Sequence, residues 1–250
     1  MNDTWLSVPE PLPPLPTAGR VFAQARTVEL GDVTPAGRMR FDAVARFLQD
    51  AAMADVCDAG LDEPAWIVRR TAVHVTWFPR YLERLEVRTH CWSMGKFAAE
   101  RRTVLVGAQG GHVDTLTLWV RLDPSSGRPA PLAADFRACF AEAVAGRVTD
   151  HELRHAAPPA RAGAGFALRA CDFDLRGHVN NAVLWAPVED VLAACGFAAG
   201  HGTFEMEFRA AIAPGAAVEI VTQDETQGTA LWVVADGKAS ASARLFPGRP

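Results

Sequence analysis

The chain holds 250 residues, with 25 Lys and Arg against 29 Asp and Glu, a formal charge of −4. At 49% hydrophobic and 22% charged residues it has the make-up of an ordinary globular protein with room for a sizeable core. That balance excludes a strongly basic nucleic-acid binder, and no apolar run reaches the roughly 18–20 residues of a membrane span.

The opening MNDTWLSVPEPLPPLP has no basic residue and no apolar h-region, so no secretory signal is expected. Only Lys96 and Lys238 are lysines, leaving 25 − 2 = 23 arginines, a bias expected of a GC-rich bacterial genome. Five dispersed cysteines without a C-x-x-C pair point to reduced thiols and a cytoplasmic setting. The seven histidines show no ligand-like spacing with them, so a zinc site is not expected.

In chain order, residues 1–19 form a Pro-rich extended lead. A strand is expected from Val21 to Leu30, a turn over 31–37, and a helix from Arg40 to Ala59. In that helix Phe41, Val44, Phe47, Leu48, Ala51, Ala52 and Val56 fall on one stripe, and Gly60 ends it. Four β-rich stretches follow, at 65–77, 82–92, 97–106 and 112–122. Residues 124–164 read as a linker with a short helix at Asp135–Ala145.

The order then repeats. A strand is expected over Phe166–Cys171, a turn over Asp172–His178, and a helix over Asn180–Cys195 that Pro187 kinks or delays. Strands are expected near 203–211, 216–225, 229–236 and 238–246, with Asp236-Gly237 as a hairpin turn. The chain is therefore α+β, in two β-α-β-β-β-β halves at 20–123 and 165–250. An offset of 140 sets Gly37 on Gly177, Arg38 on His178, Gln49 on Glu189 and Asp50 on Asp190. The polar residues of the second copy have no counterpart in the first, so one copy would carry chemistry and the other complete the cavity.

The densest polar cluster is Cys171-Asp172-Phe173-Asp174-Leu175-Arg176-Gly177-His178-Val179-Asn180-Asn181. It lies before a helix, whose first N–H groups could polarise a carbonyl. Asp174 could activate water or attack directly, with His178 orienting it or handling protons. Asn180 and Asn181 suit helix capping. Asp114, His74 and His90 are expected to face solvent, the cysteines to be buried, and the tryptophans of the first half to lie in sheet core, with one or two lining a ligand tunnel as the alternative. A basic face around Arg69, Arg70, Arg80, Arg84, Arg88, Lys96, Arg101 and Arg102 is the alternative to a plain solvated sheet surface.

The segment D-F-D-L-R-G-H-V-N-N resembles the acyl-ACP thioesterase family, and Gly37-Arg38, FLQDAA, WSMGKFAAERR and WVRLDPSSGRPAP agree with it. The resemblance spans roughly residues 20–246. It implies a tandem double hotdog, two long helices each wrapped by a curved antiparallel sheet. It also implies hydrolysis of fatty acyl thioesters on acyl carrier protein, with acyl-CoA as the other carrier. Neither nucleic acid nor a membrane span is implied, and the molecule would be a monomer or homodimer. Asp174 and His178 match the family's catalytic pair, Asn180 and Asn181 its paired asparagines, and Asp190 its helix acid. Two positions depart. Arg176 stands where the family has a catalytic Asn, and Ala211 falls where plant members carry a further acid. Arg176 cannot accept a hydrogen bond, but its charge could keep Asp174 ionised. The site is thus either remodelled or retired, and a retired one would leave an acyl- or carrier-binding protein.

Overall fold

A computed structural model describes residues 12–61, 65–197 and 200–248. Ten strands form one antiparallel sheet. The first five and the helices of the first half are β1 (Phe22–Thr27), α1 (Phe41–Asp58), β2 (Ala65–Trp77), β3 (Arg84–Met94), β4 (Ala98–Gly107), β5 (His112–Leu122) and α2 (Ala134–Val144). The second half adds β6 (Ala164–Gly165), α3 (Ala186–Ala194), β7 (Gly202–Phe208), β8 (Val218–Glu225), β9 (Gly228–Ala235) and β10 (Lys238–Pro247). The sheet order is β1-β3-β4-β5-β2-β7-β10-β9-β8-β6, so the halves join where β2 pairs antiparallel with β7, from Arg70 opposite Glu207 to Val75 opposite Gly202.

The expected stripe of α1 is buried, as Phe41, Val44, Phe47, Leu48 and Ala51 pack on the inner face of the sheet. Gly60 takes a φ of +65° and the amide of Leu61 reaches back to the carbonyl of Val56, which closes the helix end. At the join, Phe41 stacks on Trp185 at 5.5 Å between ring centroids and leans on Phe204 at 4.5 Å. These three rings place the N-termini of the two helices against one another, in the middle of the molecule.

Several expectations are corrected. The strand expected at Phe166–Cys171 does not form: the two-residue β6 lies just before it, residues 166–169 have no regular structure, and residues 170–172 form a 3-10 turn. The second helix is also short. It opens as a 3-10 turn at Val183–Trp185 and becomes α-helical only at Ala186, with Pro187 in its first turn, where a missing N–H costs nothing. The short helix expected in the linker is present as α2. Its Phe136 and Phe140 pack against Cys91 and Ala99, so it walls off one end of the first half.

The rest of the linker straps the outer face of the sheet. Arg70 is buried, bonds to Glu100, and donates to the carbonyls of Asp150 and Glu152. Arg101 is also buried, and Arg102 pairs with Asp114. A continuous basic sheet face therefore does not form, because three of its expected members are consumed inside the structure. Cys57, Cys171 and Cys195 are exposed rather than buried, since they sit at helix ends and in the turn.

His90 is fully buried rather than solvent-facing, because the strap and the Pro-rich lead cover that side of the sheet. Burial above all, and then the nearby Arg102, Arg101 and Arg147, push its pKa down to about 4, against an upward pull from the Cys91 carbonyl. A depressed histidine stabilises the fold fully above its unfolded pKa of 6.5, and that contribution is lost as pH falls through about 4. Stability should drop by about 3 kcal/mol across that window. Denaturant unfolding of wild type and His90→Gln at stepped pH tests this, and a variant with an equally steep acid slope would refute it. The depressed carboxyls of Asp42 and Asp172 act lower, below 3.8, so the windows separate.

Candidate active site

The two turns that precede the helices are built alike. In the second, the amide of Asp174 donates to the carbonyl of His178, that of Gly177 to Asp174, and that of Asn180 to Asp172. In the first, Thr34 donates to Arg38, Gly37 to Thr34, and Arg40 to Asp32. Each bond lies 140 residues from its mate, and Gly37 and Gly177 both need a positive φ, +78° and +73°. The repeat expected from element order thus extends to individual hydrogen bonds.

The two turns differ in their side chains. The Asp174 carboxylate accepts the amides of Arg176 at 2.8 Å and His178 at 3.2 Å, both through Oδ1. Oδ2 accepts nothing among the described residues. Asp174, Arg176 and His178 are all exposed, and Leu175 at the tip is fully so. Asn180 Oδ1 caps the following turn by accepting the amide of Ala182 at 2.8 Å, and it also accepts Gln49 Nε2 from α1 at 3.2 Å. Below the turn, Asp172 is tied to Arg169. Burial pushes its carboxyl up, but the Arg169 hydrogen bonds together outweigh that and hold it below the usual range.

At the other pole, Arg38 stands where His178 does, and Glu189 stands where Gln49 does. Arg38 is buried beneath Phe78 and Phe197 and holds Glu189 through both oxygens, at 3.1 and 2.6 Å. Glu189 Oε1 also accepts the first amide of α1, from Phe41, at 2.8 Å. The helix has no N-cap side chain of its own, so a carboxylate from the other half supplies it. The matching amide at the Asp174 pole, that of Asn181, has no acceptor among the described residues.

A cavity of about 210 Å³ opens beside the second turn but lies inside the first half. One wall is the α1 face of Gln49, Ala52, Met53 and Val56; the sheet supplies Trp66, Cys91, Ala99, Arg101 and Trp119. Phe136 of α2 closes it and Arg176 stands at its rim. Gln49 also lines a small void shared with Asn181 and Trp119, and a polar groove of about 650 Å³ that carries Arg26, Arg46, Arg84 and Asn180. The equivalent α3 face, Glu189, Ala193 and Gly196, lines only an open groove together with Ala36.

Of the expected site residues, the structure gathers Asp174, Arg176, His178, Asn180 and Asn181 around one helix start. Asp190 is placed elsewhere, in the groove beside Arg38. The Arg176 side chain makes no ion pair with Asp174 among the described residues, and it borders the cavity instead. Sequence reasoning passed over Gln49 and Arg101. The signal was a polar residue inside the α1 stripe, at a position paired by the offset with Glu189.

His155, Glu205 and Glu207 bring ligand atoms within 4.8 Å of one another. Their groups are already engaged: Glu207 accepts the amides of Arg154 and His155 and a guanidinium N–H of Arg209, and His155 bonds to Ser242 and Glu205. This cluster knits the linker to β7, and its donors and acceptors are spent on that.

A single sheet holds two helix starts back to back, one pole open onto a cavity and the other filled by Arg38 and Glu189, and this defines a tandem scaffold of two related halves. Two domain descriptions match the chain: the acyl-ACP thioesterase N-terminal domain over residues 19–140 and the C-terminal domain over residues 158–244. The chain belongs to the acyl-ACP thioesterase family, whose members are thioester hydrolases, and its fold is the double hotdog. It is similar to an acyl-ACP thioesterase from Bacteroides thetaiotaomicron, with a TM-score of 0.78 and 16% identity over 90% of this chain and 97% of that one. It is also similar to the 12:0-ACP thioesterase of Umbellularia californica, with a TM-score of 0.74 and 21% identity over 91% and 98%. The uncharacterized protein Rv2001 of Mycobacterium tuberculosis is 25% identical over 239 residues, 92% of this chain and 93% of its own length. No helix among the described residues is long and apolar enough to cross a membrane.

Proposed function

We propose that the protein hydrolyses fatty acyl chains from acyl carrier protein, using the turn of the second half and the cavity of the first. One observation carries this reading. The pole bearing Asp174 and His178 opens onto an apolar-walled cavity, whereas the matching pole is plugged by Arg38 and Glu189. The acyl chain lies along α1 in that cavity, and the carrier's polar arm follows the groove of Arg26, Arg46 and Arg84.

In the reaction, Oδ2 of Asp174 takes a proton from water, and the oxygen adds to the thioester carbonyl carbon. The carbonyl oxygen gathers negative charge against the Asn181 amide, in the place that Glu189 Oε1 occupies at the other pole. The C–S bond then breaks, and the proton that Asp174 took passes through His178 to the leaving thiolate, which restores both groups. Arg176 at the rim offsets the charge that develops there. No step needs a metal or an organic cofactor.

Thiol release from matched acyl-carrier-protein and acyl-CoA series tests the reading. Turnover with higher kcat/KM on the carrier protein supports it. Preference for CoA would move the substrate, and release from neither would overturn the hydrolase. Gln49 adds a second check. Replacing it with Ala removes its bond to Asn180 and should lower kcat roughly tenfold, the scale of one lost hydrogen bond, with little change in KM. An equal rise in KM with unchanged kcat would show that Gln49 only binds substrate.

A further inference from the structure

The far end of the acyl cavity is polar, and this bears on the substrate. Arg101 forms its wall there and is buried. Its Nη1 is engaged by Asp55 and by Thr89 at 3.3 Å, and the guanidinium lies 5.4 Å from the centroid of the Phe140 ring. A guanidinium has five N–H donors, and those on Nε and Nη2 have no protein acceptor among the described residues and border the cavity. The indole N–H of Trp119, in the wall between this cavity and the void beside Asn181, is buried and likewise has none. An all-hydrocarbon chain that displaced water from the cavity would leave both groups unsatisfied, which is costly.

The charge around Arg101 is already balanced. Asp55 shares its carboxylate between Arg101 and Arg20, and Arg20 also holds Asp58, so two cations face two anions. A further carboxylate would enter without a counter-charge, whereas a neutral oxygen would not. Position follows from the helix. Gln49 marks the reacting end and Asp55 the Arg101 end, six residues on, or about 9 Å at 1.5 Å per residue. A fully extended chain advances about 1.2 Å per bond, which makes that distance roughly seven or eight bonds.

Building on the thioesterase reading, we propose that the preferred acyl group carries a neutral hydroxyl or carbonyl oxygen roughly eight carbons from the thioester, received by Arg101. Apolar walls hold the methylenes between. Phe136 and Cys91 close the floor, and burial raises the Cys91 thiol to about 12, so it is neutral.

The test compares ω-hydroxyoctanoyl-CoA, octanoyl-CoA and suberoyl-CoA by thiol release, and the free acids of the first two by calorimetry. The hydroxylated chain should be favoured about tenfold in kcat/KM and in binding. Arg101→Lys keeps a cation beside Asp55 but loses the fork, and it should bring that ratio near one. If the variant does not fold, the wild-type binding comparison decides alone. Equal or better binding and turnover of the plain chain, or a preference for the suberoyl chain, would overturn the proposal. Preferential binding of the hydroxy acid, with no thiol release from these CoA esters or from the same chains on acyl carrier protein, would support the cavity assignment and sink the hydrolase reading instead.

Discussion

Asp174→Asn should leave the fold intact and cut thioester turnover by roughly 10²–10⁴, the usual worth of a positioned general base. The geometry makes this substitution unusually clean. Both turn amides, from Arg176 and His178, are accepted by Oδ1, and the asparagine carbonyl can accept them equally well. What Asn loses is the second oxygen and its charge. Asp174→Ala removes the chemistry and the turn contacts together, so it should be inactive and also less stable by about 1 kcal/mol, in the manner of a lost cap. Activity measured beside thermal unfolding for both variants separates the two roles. Wild-type turnover in the Asn variant would remove Asp174 from the mechanism, and His178 would then need another partner.

The elements of the first half were legible because their signals are local. The α1 stripe repeats at helical spacing, and β2 to β5 are β-branched runs between glycine and proline turns. The second half was less so. The pattern at 166–171 has strand character, but the sheet edge there is satisfied by two residues of β6, and the chain turns away at Ala170. The polar turn was visible as a cluster of residue types, and its members do meet at one helix start. Its partner surface was not visible, because a cavity is made by what α1, the sheet and α2 leave unfilled. No spacing in the sequence reveals that Gln49 and Asn180, 131 positions apart, share a hydrogen bond. Arg101 was misread for a related reason. Strand alternation puts it on the face of Ala99, toward the cavity, and the buried Asp55 of α1 that pairs with it there is 46 positions away in the sequence.

Breaking the stoppered pole should have the largest effect on stability. Glu189→Gln removes the negative charge beside Arg38, a residue 3% exposed, and it weakens the side-chain cap on α1. Removing the charge of one partner from a buried ion pair typically costs about 3–5 kcal/mol, a large share of a domain's total stability. Replacing both partners with apolar residues of similar volume, as in Arg38→Met with Glu189→Leu, should cost less, because no charge is then stranded. It would still lose the contact with the Phe41 amide. Equilibrium unfolding of the two singles and the double forms a cycle whose coupling term isolates the pair. The same cycle bears on why the proposed function uses one pole and not the other. At the first turn a carboxylate of the chain itself satisfies the helix amide, so no substrate oxygen can take that place. At the second turn Gln49 has no charge and points to Asn180, which leaves the Asn181 amide for a ligand. Additive singles with no coupling would mean that Arg38 and Glu189 merely lie side by side, and the plugged pole would need another explanation.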